Sequence, residues 1–131
     1  MGSRLILLLD THTLLWWFNL DRRLSATAKE TLTVSGNIVY VSAAAAWEIA
    51  IKTTAGRLDA QALLSDFPRI IFRNGFRRLA ISTAHAILAA QLPAHHKDPF
   101  DRMLAAQAQA VNCSIVSADP IFDRYGVERI W

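Results

Sequence analysis

The sequence predicts a single α/β domain with a central, mostly parallel β-sheet flanked by helices. Three observations predict it. Short β-rich runs alternate with helical stretches along the chain, the pattern of sequential strand–helix units. Residues 5–9 (LILLL) are continuously apolar, as in a strand buried on both faces. Finally, 131 residues suit one domain and are few for two, and no repeat, low-complexity stretch or linker divides them. The domain is therefore expected to span residues 1–131.

Residues 4–9 read as the first strand, followed by a helix over 13–20 that carries Trp16, Trp17 and Phe18. Ser25 is placed as the N-cap of a second helix, through Lys29 and Thr33 to near Gly36. Residues 38–41 read as the second strand. Ser42 then caps a helix over 43–54 that Gly56 stops. The stretch 60–73 starts helical and loses definition around Pro68. A third strand is expected at 78–81 and a helix at 83–91. Asp98-Pro99 supplies an N-cap and an N1 proline for a helix reaching about Asn112. Residues 114–117 form the fourth strand and 128–131 a short fifth. Right-handed crossovers gather the carboxyl ends of such strands at one edge, where open α/β sheets bind ligands.

The composition narrows the function classes. The apolar fraction, 53%, exceeds the usual 45–50% or so, so part of the excess is expected at a dimer or partner interface. Cys113 is the only cysteine, which excludes an internal disulfide and a thiolate metal site and suits a reducing cytoplasm. The apolar run 5–9 is too short for a signal or membrane-spanning segment, so a soluble cytoplasmic protein is expected, with no membrane partner. Net charge is +3 with Arg over Lys by eleven to three, a balance that favours phosphate contacts.

Four of the eleven acidic residues fall where this topology could gather them. Asp10 follows the first strand, and Asp119 follows the fourth. Glu48 lies in the first turns of the helix after the second strand, and Asp101 in the first turn of the helix before the fourth. The helix of Asp101 is expected to start at the opposite edge, unless it lies across the end of the sheet. If the four meet, their repulsion needs a counter-charge. A divalent cation such as Mg²⁺ or Mn²⁺ prefers these hard oxygen ligands, and it would activate water for attack on a phosphodiester.

The segments LLLDTHTLLWW, SAAAAWEIAIKTTAGRL, HHKDPFDRMLAAQA and SIVSADPIFDRYGV resemble the PIN-domain ribonucleases, most closely the VapC-type toxins of toxin–antitoxin pairs. The likeness runs from about residue 5 to 131. It implies a PIN-like fold, with Asp10, Glu48, Asp101 and Asp119 as catalytic and metal-binding acids and Ser117 at the hydroxyl position of the last motif. It also implies a Mg²⁺- or Mn²⁺-dependent endoribonuclease acting on an RNA substrate, forming a homodimer and held inactive by a cognate antitoxin. The third acid would then reach the cluster after all.

Each residue also has a plainer role. Asp10 could cap the next helix, and Glu48 could pair with Lys52 one turn on. Asp98 suits capping, with Asp101 as its N3 partner; Asp119-Pro120 could open a turn. Ser117 is either a strand-end hydroxyl or a partner of a ligating carboxylate. His12, His85, His95 and His96 lack metal-ligand spacing and read as solvated loop histidines. Arg22, Arg23, Lys97 and Arg102 are candidate phosphate contacts, although for any one of them a solvated charge is the plainer role. Trp16, Trp17 and Phe18 cannot share one helix face, so at least one is expected exposed or covered by a partner.

Two other strand-end-Asp chemistries fit less well. A haloacid-dehalogenase-type site needs an acid where His12 stands, and a receiver domain needs an acidic pair and a late lysine that are missing. The alternative to the nuclease is a catalytically weak PIN domain serving as an RNA-binding or protein-interaction module.

Overall fold

The structure, a computed structural model, describes residues 4–131. Among them, five strands form one sheet in the order β3-β2-β1-β4-β5, with every neighbouring pair parallel. They are β1 (Ile6–Leu9), β2 (Ile38–Ser42), β3 (Arg77–Leu79), β4 (Ser114–Val116) and β5 (Arg129–Ile130). The central strand is the apolar run of the sequence. Leu7 and Leu9 face one hydrophobic cluster with Val39, Val41 and Val116, whereas Leu8 faces the other with Ile115. This alternation places a core on each side of the sheet.

Helices α1 (Thr11–Phe18), α2 (Ala26–Thr33) and α3 (Ala43–Thr54) follow the first two strands in turn. They give Leu14, Ala28, Leu32 and Ile49 to the first cluster. Helix α1 begins two residues earlier than the sequence suggests, because Asp10 is its N-cap and accepts from Thr13 N at 2.7 Å. The stretch 60–73 divides into α4 (Gln61–Ser65) and α5 (Phe67–Arg73). Pro68 sits in the first turn of α5, where no intrahelical N–H is lost, so it starts a helix instead of blurring one.

Helix α6 (Thr83–Gln91) and helix α7 (Pro99–Val111) cover the second face. Leu104, Ala105, Ala106 and Ala108 of α7 pack there with Leu8 and Ile115. The expectation that α7 starts at the opposite edge is incorrect. Its 13 residues run about 20 Å and feed β4 through Asn112, whose φ is +57°. A helix that delivers the chain to the amino end of a parallel strand has its head at the carboxyl end. Helix α6 lies antiparallel to α7: Arg102 at the head of α7 reaches carbonyls at the tail of α6, and Gln107 further on reaches His85 near its start. After β4 comes a 3₁₀ turn, Pro120–Tyr125, that the sequence did not suggest; Asp119 caps it.

Candidate active site at the carboxyl edge of the sheet

Asp10 leaves β1 and is almost fully buried, with 5% exposed. One carboxylate oxygen accepts from Thr13 N, and the other accepts from the Ser117 hydroxyl. Ser117 lies just beyond β4, and its Oγ accepts from Asp119 N at 3.0 Å. The Thr13 hydroxyl donates to Val116 O at 2.9 Å. Backbone and hydroxyl donors therefore hold Asp10 in one orientation and couple it to the strand that leads to Asp119.

Glu48, 4% exposed, sits on the buried side of α3. Its Oε2 meets Lys52 Nζ at 2.6 Å. The pairing with Lys52 foreseen as the plainer role is thus present, but it is not a surface pair, because Glu48 is buried. The rings of Trp47 and Phe100 pack edge to face, 5.3 Å between centroids. This contact joins the heads of α3 and α7 at the residues immediately preceding Glu48 and Asp101.

Asp98 caps α7: its Oδ1 accepts from Phe100 N at 2.8 Å and Asp101 N at 3.3 Å. Asp101 is left to face His96, whose Nε2 is 2.9 Å from Asp101 Oδ2 and 4.0 Å from Asp119 Oδ2. His96 Nδ1 accepts from Asp98 N at 3.0 Å. A neutral ring therefore carries its proton on Nε2 and donates it to Asp101. The Tyr125 hydroxyl accepts from His96 N at 3.0 Å and pins the loop before Asp98. The reading of His96 as a solvated loop residue is corrected here: it joins Asp101 and Asp119 in one cluster of potential ligand atoms within 4.8 Å of each other.

Charge is crowded at this edge. Burial pushes the Asp101 carboxyl up from 3.8 to about 7, and the negative charges of Asp98, Asp10, Glu48 and Asp119 push it the same way. The other three sequence-derived acids are thus each within electrostatic reach of Asp101. The donor set, four carboxylates from four separate elements, fits a hard divalent cation better than a soft one. Such an ion would supply the positive charge that Lys52 provides only in part.

The other candidates lie elsewhere. Arg102, a candidate phosphate contact, instead caps the tail of α6, donating to Ala89 O at 2.8 Å and Leu92 O at 3.0 Å. His85 completes the capping box of α6 with Ser82. Arg22 and Lys97 are exposed. Arg23 bonds Asp21 through Nε and Nη2 and lies over the Trp16 ring. Trp16, Trp17 and Phe18 are all half-buried; the most exposed large apolar residues include Trp47, Phe72 and Leu20 instead. No helix among the described residues is long and apolar enough to cross a membrane.

The family model of the PIN domain matches residues 7–128. Solved structures share the architecture at low identity. A chain of the VapBC2 complex from Rickettsia felis, bound to a DNA fragment from its promoter, has a TM-score of 0.70 at 14% identity, over 97% of this chain and 100% of that one. A chain of DNA-bound VapBC from Salmonella typhimurium gives 0.69 at 20%, over 95% and 96%. A chain of FitAcB from Neisseria gonorrhoeae gives 0.67 at 18%, over 94% and 95%. Comparison with curated proteins yields no match. The chain belongs to the PIN domain family.

Proposed function

We propose that this PIN-domain protein is a Mg²⁺- or Mn²⁺-dependent endoribonuclease whose catalytic and metal-binding residues are Asp10, Glu48, Asp101 and Asp119. The observation that carries the reading is the convergence of these carboxylates on Asp101, whose ionisation they oppose together with burial. When bound, the ion supplies a polarised phosphoryl oxygen and an activated water. The chain's own residues prepare the rest. Thr13 N and Ser117 Oγ fix the lone pairs of Asp10. Lys52 balances Glu48 and limits the charge the cluster must tolerate when empty. His96, oriented by Asp98 N, holds Asp101 toward Asp119. Net charge +3 favours a polyanionic substrate.

The solved relatives are toxin–antitoxin complexes, and we read this chain as the toxin of such a pair, a cytoplasmic homodimer restrained by a cognate antitoxin. An apolar groove of about 890 Å³ beside edge strand β3, between Trp47, Phe67, Ile71 and Phe72, supports a protein partner. The test is cleavage of mixed tRNA and rRNA with Mg²⁺, Mn²⁺ or EDTA, with Asp101→Asn alongside. Metal-dependent cutting absent from the variant is expected. No cutting in either metal by folded, antitoxin-free protein, on any RNA offered, would favour a binding module instead.

A further inference from the structure

At the helix that Asp10 caps, two rings and a guanidinium close together in the chain meet a third ring, Trp131, from its far end. His12 and Trp16, one turn apart on α1, stack with centroids 5.8 Å apart and planes at 21°. Trp131 meets Trp16 at 5.8 Å and 56°. Arg23 Cζ lies 5.1 Å from the Trp16 centroid. Asp21 holds this guanidinium through Nε and Nη2, at 3.1 and 2.7 Å. Among the described residues Nη1 makes no hydrogen bond, so it is the nitrogen available to a phosphate.

The position is set by the site itself. His12 is the second residue of the helix that Asp10 caps. Trp131 follows Ile130, whose carbonyl accepts from Ser117 N at 3.2 Å, and Ser117 in turn donates to Asp10. The group is thus tied to Asp10 through the helix that Asp10 caps and through the hydrogen bonds that join Ile130 to Ser117 and Ser117 to Asp10. Trp131 packs in part against the first hydrophobic cluster, but the core does not account for His12 and Trp16. Neighbouring Trp17 does the packing, against Phe76 at 5.4 Å and with Nε1 donating to Asn74. Trp16 belongs to neither hydrophobic cluster among the described residues, and His12 is exposed.

We propose that His12, Trp16 and Trp131, with Arg23, form a stacking subsite for one unpaired base of the RNA next to the scissile phosphate. Unstacked bases settle on aromatic, histidine and arginine faces in a sequence-tolerant way. An exposed ring backed by two indoles, with a cation alongside, offers that surface. The subsite positions the strand and takes no part in the chemistry. It rests on the nuclease reading for its substrate, but its test does not depend on cleavage.

The test is fluorescence anisotropy of a labelled single-stranded oligoribonucleotide, intact or carrying one abasic position, with the full protein in EDTA at low salt. His12→Ala and Trp16→Leu are expected to weaken binding of the intact strand about 10- to 100-fold, with Trp16→Phe near wild type. Scanning the abasic position should find one that weakens wild type but has little further effect on Trp16→Leu. Wild-type affinities for the variants, or no binding by the wild type, overturn the proposal. Should Trp16→Leu fail to fold, the exposed His12→Ala decides. Cleavage by a wild type indifferent to the abasic sites would leave the nuclease standing without this subsite; abasic-sensitive binding without cleavage would leave the subsite without the nuclease.

Discussion

Asp101 makes the stability of the metal-free protein depend on pH in a direction unusual for an aspartate. Its carboxyl is raised from 3.8 to about 7 in the folded state. The fold therefore binds this proton more tightly than the unfolded chain does. The favourable contribution is fully present below 3.8 and is lost as pH rises from there through about 7. At 1.36 kcal/mol for each tenfold change, the displacement corresponds to roughly 4 kcal/mol. Solvent still reaches 22% of the side chain, so about 2 kcal/mol is the expected size after screening. Replacing Asp101 with Asn removes the ionisation and keeps an acceptor for His96. Urea unfolding in EDTA at pH 5 and pH 8 measures both proteins. Taking wild type minus variant cancels the other titrating groups to first order. The variant should gain about 1 kcal/mol on wild type between the two pH values, because only the part of the displacement between pH 5 and about 7 falls inside this interval. Equal pH dependence in the two proteins, or a wild type that gains on the variant at pH 8, would refute the crowding of charge inferred here.

Three further outcomes follow from named contacts. Saturating Mg²⁺ at pH 8 should stabilise wild type by about 2–3 kcal/mol at a hundredfold excess over its dissociation constant, and Asp10→Asn should lose that gain in a thermal melt. Gln107, fully buried, accepts from Ser42 Oγ at 2.5 Å and donates to Ala80 O at 3.2 Å. Gln107→Leu strands both partners and should cost about 1–3 kcal/mol by urea unfolding. Arg102→Met leaves the carbonyls at the tail of α6 uncapped. It should lower Tm while leaving kcat/KM for RNA within a few-fold of wild type, whereas a large rise in KM would restore the phosphate-contact role.

The strands and most helices were legible because their signals are local. The LILLL run, the serine before each of α2 and α3, and Asp98-Pro99 each announce an element through burial or capping chemistry. The 3₁₀ turn was missed because Asp119-Pro120 opens turns of several kinds, and only the capping bond to Ile121 N selects this one. At the site, Asp10, Glu48 and Asp119 could be read from their places after strands and near a helix head, whereas Asp101 entered through the family resemblance, because the order of elements put the head of its helix at the opposite edge. His96 could not, because long-range contact with Tyr125 brings its loop back to the sheet edge. One local signal was available: a histidine two residues before an N-cap aspartate can accept from that backbone N–H and aim its far nitrogen at the helix head. The capping role of Arg102 was not legible, because charge alone offered only a phosphate contact or a solvated side chain. Its partners, carbonyls 10 and 13 residues earlier, depend on α6 lying antiparallel to α7.

The account stands on Asp10, Glu48, Asp101 and Asp119 forming one cation site. Electron paramagnetic resonance of Mn²⁺ titrated into RNA-free protein at pH 8 tests that most directly, with Asp10→Asn and Asp101→Asn as comparisons. Wild type should bind Mn²⁺ and lose the free-ion signal, while each variant should bind at least tenfold more weakly. A wild type that leaves Mn²⁺ free, or variants that bind it equally well, would contradict the assignment.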